Sequence, residues 1–457
     1  MEKVKPLATA NPLGTKKISK LLIQFSVPAI VGMMANALYN IVDRIFIGNK
    51  ADLGAYGIAA ITISFPIMIL LIALGVLFGV GGSTLFAIKL GQKKEKDAEK
   101  ALGNAFTLLL IAGLTFTILG QLFLTQILTL FGASSDVMPF AQEYMRIIFM
   151  GASFQVMSMG MNNFIRADGN PKIAMLSMFL GAGINMVLDP IFIFALDMGM
   201  AGAALATVIS QISASIWVVG YFFGKRSRSK LKRANMRLKK PLVLTIISLG
   251  IPLFALQLAN SLLNIVLNKS LISYGGDLGI SAMGIVNSLQ TLLIMPVIGI
   301  NQGVLPIISF NFGARQFDRV KEAAKLGILA ATALVMVGFL ATRFFPTQLV
   351  GMFNREPELL KLGSFALKRW FMLTPLIGFQ IIGANFFQAI GRPRSAMFLT
   401  LSRQVIFLIP AILVFPLFWG LEGILFAAPF ADMISTVVTA FFFYYGMKNL
   451  ESKAAVI

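Results

Sequence analysis

Along 457 residues, long apolar stretches alternate with short breaks rich in charge, Gly, Pro or Asn. A stretch of about 20 apolar residues crosses a hydrocarbon core about 30 Å thick as a helix. Read between the breaks, the chain has twelve such stretches: 18–46, 57–82, 101–125, 138–164, 172–196, 200–223, 242–273, 280–308, 321–345, 360–388, 395–418 and 422–446. The pattern predicts an all-α polytopic membrane protein. Its longest polar break is Lys225–Lys240, close to the middle of the chain.

Shifting the sequence by 222 residues aligns Asn163-Phe-Ile-Arg-Ala-Asp-Gly-Asn-Pro171 with Asn385-Phe-Phe-Gln-Ala-Ile-Gly-Arg-Pro393, and pairs Gly91 with Gly313. A shift of 224 places Pro28, Asn36, Asn40 and Val42 on Pro252, Asn260, Asn264 and Val266. Six spans per half is an even number, so both halves start on the same side. The expected fold is two six-helix bundles related by a pseudo-two-fold axis along the membrane normal, with substrate bound between them. The corresponding division is an N-terminal segment 1–17, an N-lobe 18–223, a basic linker 224–241, a C-lobe 242–446 and a tail 447–457.

Basic residues concentrate in alternate breaks: Lys16, Lys17 and Lys20; Lys89, Lys93, Lys94, Lys96 and Lys100; the Lys225–Lys240 linker; Arg315, Arg319, Lys321 and Lys325. This asymmetry puts both termini in the cytoplasm, and it accounts for the net charge of +20 as membrane topology, with no nucleic-acid partner expected. No removable signal peptide is expected at the N-terminus. Hydrophobic residues make up 57% and charged residues 13%. The chain has no cysteine and no histidine, so thiol chemistry and imidazole proton relays are excluded, and proton chemistry falls to carboxylates. No phosphate-binding Gly-x-x-x-x-Gly-Lys-Ser/Thr sequence is present. No nucleophile–base constellation points to an enzyme, and no cofactor is expected.

Carboxylates inside apolar spans are costly and mark functional candidates. Asp189 is one, with Asn185 four residues earlier on the same helical face; Asp43 is another, with Asn36 two turns before it. Both acids lie toward the outer ends of their spans, where they can share one polar pocket. Asp43 also adjoins Arg44, which leaves an ion pair or helix cap as the structural alternative. Asp432 is a third intramembrane acid, read either as a helix-to-helix hydrogen-bond partner or as a secondary coupling site. Met33, Met34, Phe154, Met157 and Met161 form a candidate adaptable lining for varied apolar ligands.

The six-plus-six spans, Pro28, Asn36 and Asp43 in the first, the Gly-x-Pro joints at Gly169–Pro171 and Gly391–Pro393, and the Asn185/Asp189 pair resemble the multidrug and toxic compound extrusion (MATE) transporters, specifically the DinF-like bacterial branch. The resemblance covers residues 15 to 446. It implies export of amphipathic, often cationic, compounds in exchange for protons or sodium, in the bacterial inner membrane. It also implies an N-lobe cation site at Asp43, Asn185, Asp189 and Thr207, with Asn36 on the same face of the first helix. Spans 242–273 and 360–388 lack the acids of another branch, so coupling through a C-lobe carboxylate of that type is not expected. The chain is expected to act as a monomer. The competing expectations are a lipid-linked oligosaccharide flippase of the same superfamily and, from a different class, a channel.

Overall fold

The computed structural model describes residues 11–50 and 53–451, and no strand occurs among them. In the first half, α1 is Ile18–Asn49, α2 Gly54–Gly91, α3 Glu95–Leu122, α4 Met138–Ala167, α5 Pro171–Pro190 and α6 Gly199–Phe223. The second half starts with a hydrogen-bonded run, Lys240–Gly313, of 74 residues. At about 1.5 Å per residue that is far longer than a bilayer is thick. It divides at Gly276, whose φ of 57° takes the chain out of the helix, giving α7 (240–275) and α8 (277–313). Next come α9, Phe317–Phe344, and α10, made of Pro357–Trp370 and Pro375–Ala389 bent by 48°. The helix α11 runs through Pro393–Leu401, Ser402–Leu408 and Ile409–Val414, and the run Pro416–Lys448 leaves the helix at Gly420, whose φ is 54°, so that α12 is 421–448.

Nine helices among the described residues are long and apolar enough to cross a membrane, or ten with the bent α10 as one span. The 74-residue run supplies two spans, and α4, 30 residues long and less apolar, completes twelve.

Three departures from ideal helix matter. Pro375 breaks the expected span 360–388, because it has no N–H to donate and disfavours helix at the residue before it. The end of α5 is wound as a π-helix, Ile191–Ala195, with Leu196 N–H bonded to Ile191 O at 2.8 Å. The middle of α11, Ser402–Leu408, is π-wound as well.

The repeat extends to backbone detail. Lys93 and Arg315, equivalent at a shift of 222, both have φ near 58°. Each ends its helix with the same long return bond, Lys94 N–H to Lys89 O and Gln316 N–H to Asn311 O, both 2.9 Å.

The lobes meet through glycine. A Cβ on Gly250 of α7 would lie 1.8 Å from Leu77 O of α2, and one on Gly81 of α2 would lie 2.1 Å from Ile246 O of α7. Nearer the α2–α3 and α8–α9 turns, a Cβ on Gly91 would fall 2.0 Å from Phe310 O and one on Gly313 2.1 Å from Ile88 O. The arrangement is two-fold symmetric. Gly303, the repeat mate of Gly81, approaches the Ser26 amide, and Ser26 is the mate of Gly250. Backbone against backbone at this range requires small residues on both sides.

The N-terminal segment crosses the same seam. Leu13 is fully buried in a cluster with Ile18, Leu21 and Phe25 of α1 and Val304, Ile307 and Ile308 of α8. Asn311 Nδ2 and Arg319 Nη2 both donate to Leu13 O at 3.0 Å, and Arg319 Nη2 also to Lys16 O at 2.7 Å.

Candidate functional site

In the N-lobe, α5 packs between α1 and α6, which brings residues far apart in sequence to one polar cluster. Asn185 and Asp189 share a face of α5 because they are four residues apart. Asn185 Nδ2 lies 3.3 Å from Asp189 Oδ1 and 3.3 Å from Thr207 Oγ1 on α6. Asp189 is completely buried, and Asn185, Thr207 and Asp43 are buried around it. Asp43 stands on α1, the helix packed directly against α5. Asn36 is half-buried on α1 two turns before Asp43, and both have interaction partners. The side chain of Arg44, the alternative partner for Asp43, lies outside the described residues.

The cluster leaves acceptors over. Asp189 Oδ2 and Asn185 Oδ1 are buried and have no hydrogen-bond partner among the described residues. A buried carboxylate oxygen without a donor costs free energy until a proton or cation supplies the missing charge. Carboxylate, amide and hydroxyl oxygens together form a hard, oxygen-only donor set. Such a set fits sodium, and the bare carboxylate fits a proton. No cluster of three or more His, Cys, Asp or Glu residues occurs among the described residues.

Pro190 follows Asp189 directly and cannot donate to the helix ladder, and the π-winding of 191–195 begins there. The carboxylate thus sits at a joint in α5. Lys50, just past the end of α1, ties into this joint by donating to Ile193 O at 2.9 Å and pairing with Asp197. Lys50 is itself buried. The signal the sequence carries for it is a lysine in an otherwise base-poor connection, a departure from the charge pattern. Ser210, one turn beyond Thr207 on α6, is buried and donates to Thr207 O at 2.7 Å; its spacing of three residues is the signal the sequence carries.

Asp432 is buried and accepts from Arg403 Nε at 2.7 Å, the helix-to-helix hydrogen bond that is the first of its two readings, while its Oδ2 has no hydrogen-bond partner among the described residues. One expectation needs correction. Met157 and Met161 do not line an open cavity; they are buried in the N-lobe core with Phe164 and Ile165, because their face of α4 packs inward. Met34 and Phe154 are each 38% exposed and Met33 is half-buried, which leaves those three as surface-presenting residues.

Two segments of the chain, 28–191 and 252–413, match the MatE family model. The chain belongs to the MatE family. The two matches start 224 residues apart and end 222 apart, the same offsets that relate the halves by sequence. Among curated MatE relatives, the multidrug export protein MepA of Staphylococcus aureus (strain MSSA476) is 28% identical over 430 residues, covering 93% of this chain and 94% of MepA. Among solved structures, the MATE multidrug transporter DinF-BH is 36% identical with a TM-score of 0.89, covering 96% of this chain and 98% of that one. The outward-facing conformation of a multidrug resistance MATE family transporter of the MOP superfamily is 25% identical with a TM-score of 0.91, covering 98% and 100%. The MatE fold accounts for the two six-helix bundles.

Proposed function

We propose that this MatE protein is a cation-coupled exporter of amphipathic organic compounds, embedded in the cytoplasmic membrane with both termini inside and working as a single chain. The observation that carries the proposal is the buried Asp189 carboxylate on α5, the helix packed against the α1 that bears Asp43, with one oxygen held by Asn185 and the other without a partner among the described residues. Two acids in one low-dielectric pocket repel when both are charged, so the pair has a strong appetite for one positive charge. A proton or a sodium ion from outside supplies it, and so does a cationic drug from inside. Mutual exclusion of the two is antiport.

The glycine seam supports the other half of the cycle. With α2 against α7 and α8 against α1 in backbone contact, the lobes are closed together along this seam, which the proposed orientation puts on the cytoplasmic side. Export then requires this seam to part so that substrate can enter, and to re-form once substrate has left. Cation binding at Asp189 reaches α1 through the Lys50–Ile193 link at the joint of α5. Each leg is a bias on one two-state equilibrium.

The test is efflux of a fluorescent lipophilic cation from proteoliposomes, with a proton gradient or a sodium gradient imposed separately, for wild type and Asp189→Asn. Efflux driven by one gradient and lost in the variant is the expected result and names the ion. Efflux that survives unchanged in Asp189→Asn would sink the coupling role of this carboxylate.

A further inference from the structure

The basic linker is no loose solvated loop but a fitted strap on the N-lobe. Asp168, fully buried between α4 and α5, accepts at Oδ2 from Tyr221 Oη at 2.6 Å, the Arg228 amide at 3.0 Å and Ser227 Oγ at 3.3 Å. Glu99 of α3 takes Lys232 Nζ at 2.7 Å and the Lys230 amide at 3.3 Å. Asn104 bonds the strap three times: its Nδ2 reaches Asn235 O at 3.1 Å and Arg237 O at 3.3 Å, and its Oδ1 takes the Lys239 amide at 2.8 Å. Thr107 Oγ1 donates to Met236 O at 2.8 Å. Gly103 lets the strap lie flat, since a Cβ there would fall 2.4 Å from Asn235 O.

This anchoring sorts the side chains. Ser227, Ser229 and Leu231 are buried, while Lys225, Arg226, Arg233, Arg237 and Lys239 are exposed. From Lys225 to Lys240 the sequence has no Asp or Glu. The level of the strap is fixed by α3, whose charged first turns, Glu95 to Lys100, give way to an apolar run at Ala101. Asn104 and Thr107 hold the strap where α3 leaves water for hydrocarbon. Exposed apolar residues accompany the basic row: Phe223, 64% exposed, precedes it, and Leu238, 40% exposed, lies within it between Arg237 and Lys239. Basic heads beside apolar side chains at one depth are the pattern of an interface that meets anionic headgroups.

We propose that the strap 225–239 is a binding surface for anionic phospholipid headgroups of the inner leaflet. The inference rests on the cytoplasmic placement given above. Loose basic loops feel the leaflet only as a diffuse potential. A rigid row of guanidinium and ammonium groups, held at headgroup depth by Asp168, Glu99 and Asn104, retains individual lipids.

The test is native mass spectrometry of the full chain released from nanodiscs of phosphatidylglycerol or phosphatidylcholine. The wild type is compared with a strap variant (Lys225→Gln, Arg226→Gln, Arg233→Gln, Arg237→Gln, Lys239→Gln) and with a control, Lys361→Gln/Lys368→Gln, whose exposed charges lie outside the strap, on the first segment of α10. Wild type and control are expected to retain phosphatidylglycerol selectively, and the strap variant to lose that preference by about tenfold or more. Equal retention by the strap variant, equal loss in the control, or displacement of the lipid by soluble inorganic polyphosphate would overturn the proposal. Should the strap variant fold poorly, hydrogen exchange of residues 225–239 in the wild type decides: slower exchange in phosphatidylglycerol than in phosphatidylcholine supports the site, and identical exchange refutes it. Lipid retention is read without any transport, so failure of the export proposal would show separately as absent efflux.

Discussion

Gly81 and Gly250 stand against each other's helices across the lobe interface, each leaving no space for a methyl group before the carbonyl of the opposite helix. Alanine at either position must push α2 and α7 apart. Overpacking of this kind costs about 1–3 kcal/mol, and the cost falls on the state in which α2 and α7 touch. Gly250→Ala is therefore expected to shift the population toward separated lobes at this seam by about tenfold. Spin labels on Lys94→Cys and Gln316→Cys, introduced into a chain with no native cysteine, would report it as a longer distance. An unchanged distance distribution would show that the seam does not set the equilibrium.

Thr207 accepts from the same Asn185 amide that holds one oxygen of Asp189, while the other oxygen stays open among the described residues. Thr207→Val removes a hydroxyl from this charged network, at a cost of about 1–3 kcal/mol, and is expected to weaken coupling-ion affinity by about tenfold. Thr207→Ser keeps the hydroxyl and should stay near wild type. The concentration of the ion giving half-maximal efflux in proteoliposomes distinguishes the two.

The Arg403–Asp432 pair makes a sharp stability forecast. With side-chain exposures of 11% and 1%, neither charge has water to fall back on. Arg403→Met leaves a buried carboxylate and should cost roughly 3–5 kcal/mol. The double variant Arg403→Met/Asp432→Leu removes both charges and should recover most of that loss. Thermal melting in detergent measures the cycle; additive losses would mean the two residues do not act as a pair.

Asp168 predicts how the strap responds to pH. Burial pushes its carboxyl above the ordinary carboxylate range, against the opposing pull of its hydrogen bonds from Tyr221, Arg228 and Ser227. A raised folded-state value means the folded protein binds the proton more tightly than the unfolded chain, so the contribution is full at low pH and is lost as pH rises through the folded value. The proton has a place to sit, since Oδ1 has no partner among the described residues while Oδ2 goes on accepting. Hydrogen exchange at 225–239, corrected for intrinsic pH dependence, should slow as pH falls. Asp168→Asn mimics the protonated group and should flatten that profile; a profile as steep as wild type would exclude Asp168 as its source.

Lys50→Met deprives the buried carbonyl of Ile193 of its donor and is expected to cost about 1–3 kcal/mol. Asp197→Asn should cost less than about 1 kcal/mol, because the aspartate side chain is 78% exposed and solvent screens the pair. Melting temperatures that fall equally in the two variants would show that the ion pair, and not the carbonyl bond, secures the outer end of α1.

Much of this protein is fixed locally and is legible along the chain. Span length follows from the thickness of hydrocarbon, and the repeat from matching residues at offsets of 222 and 224. The Asn185/Asp189 face follows from the helical period. A carboxylate in an apolar run is conspicuous wherever it ends up. What depended on distance in space was hidden. Asp43 and Asp189 are joined only by the packing of α1 on α5. Asp432 could be read as a helix-to-helix hydrogen-bond partner or as a secondary coupling site until α11 placed Arg403 against it. Met157 and Met161 were indistinguishable from Met34 until the rotation of α4 turned them into the core. The strap reads as a loop because its anchors, Asp168, Glu99 and Asn104, lie in earlier segments, and no local pattern records a hydrogen bond spanning more than a hundred residues. Composition and period set which helices form; the pairing of their faces decided which charges are answered and which oxygen of Asp189 is left open.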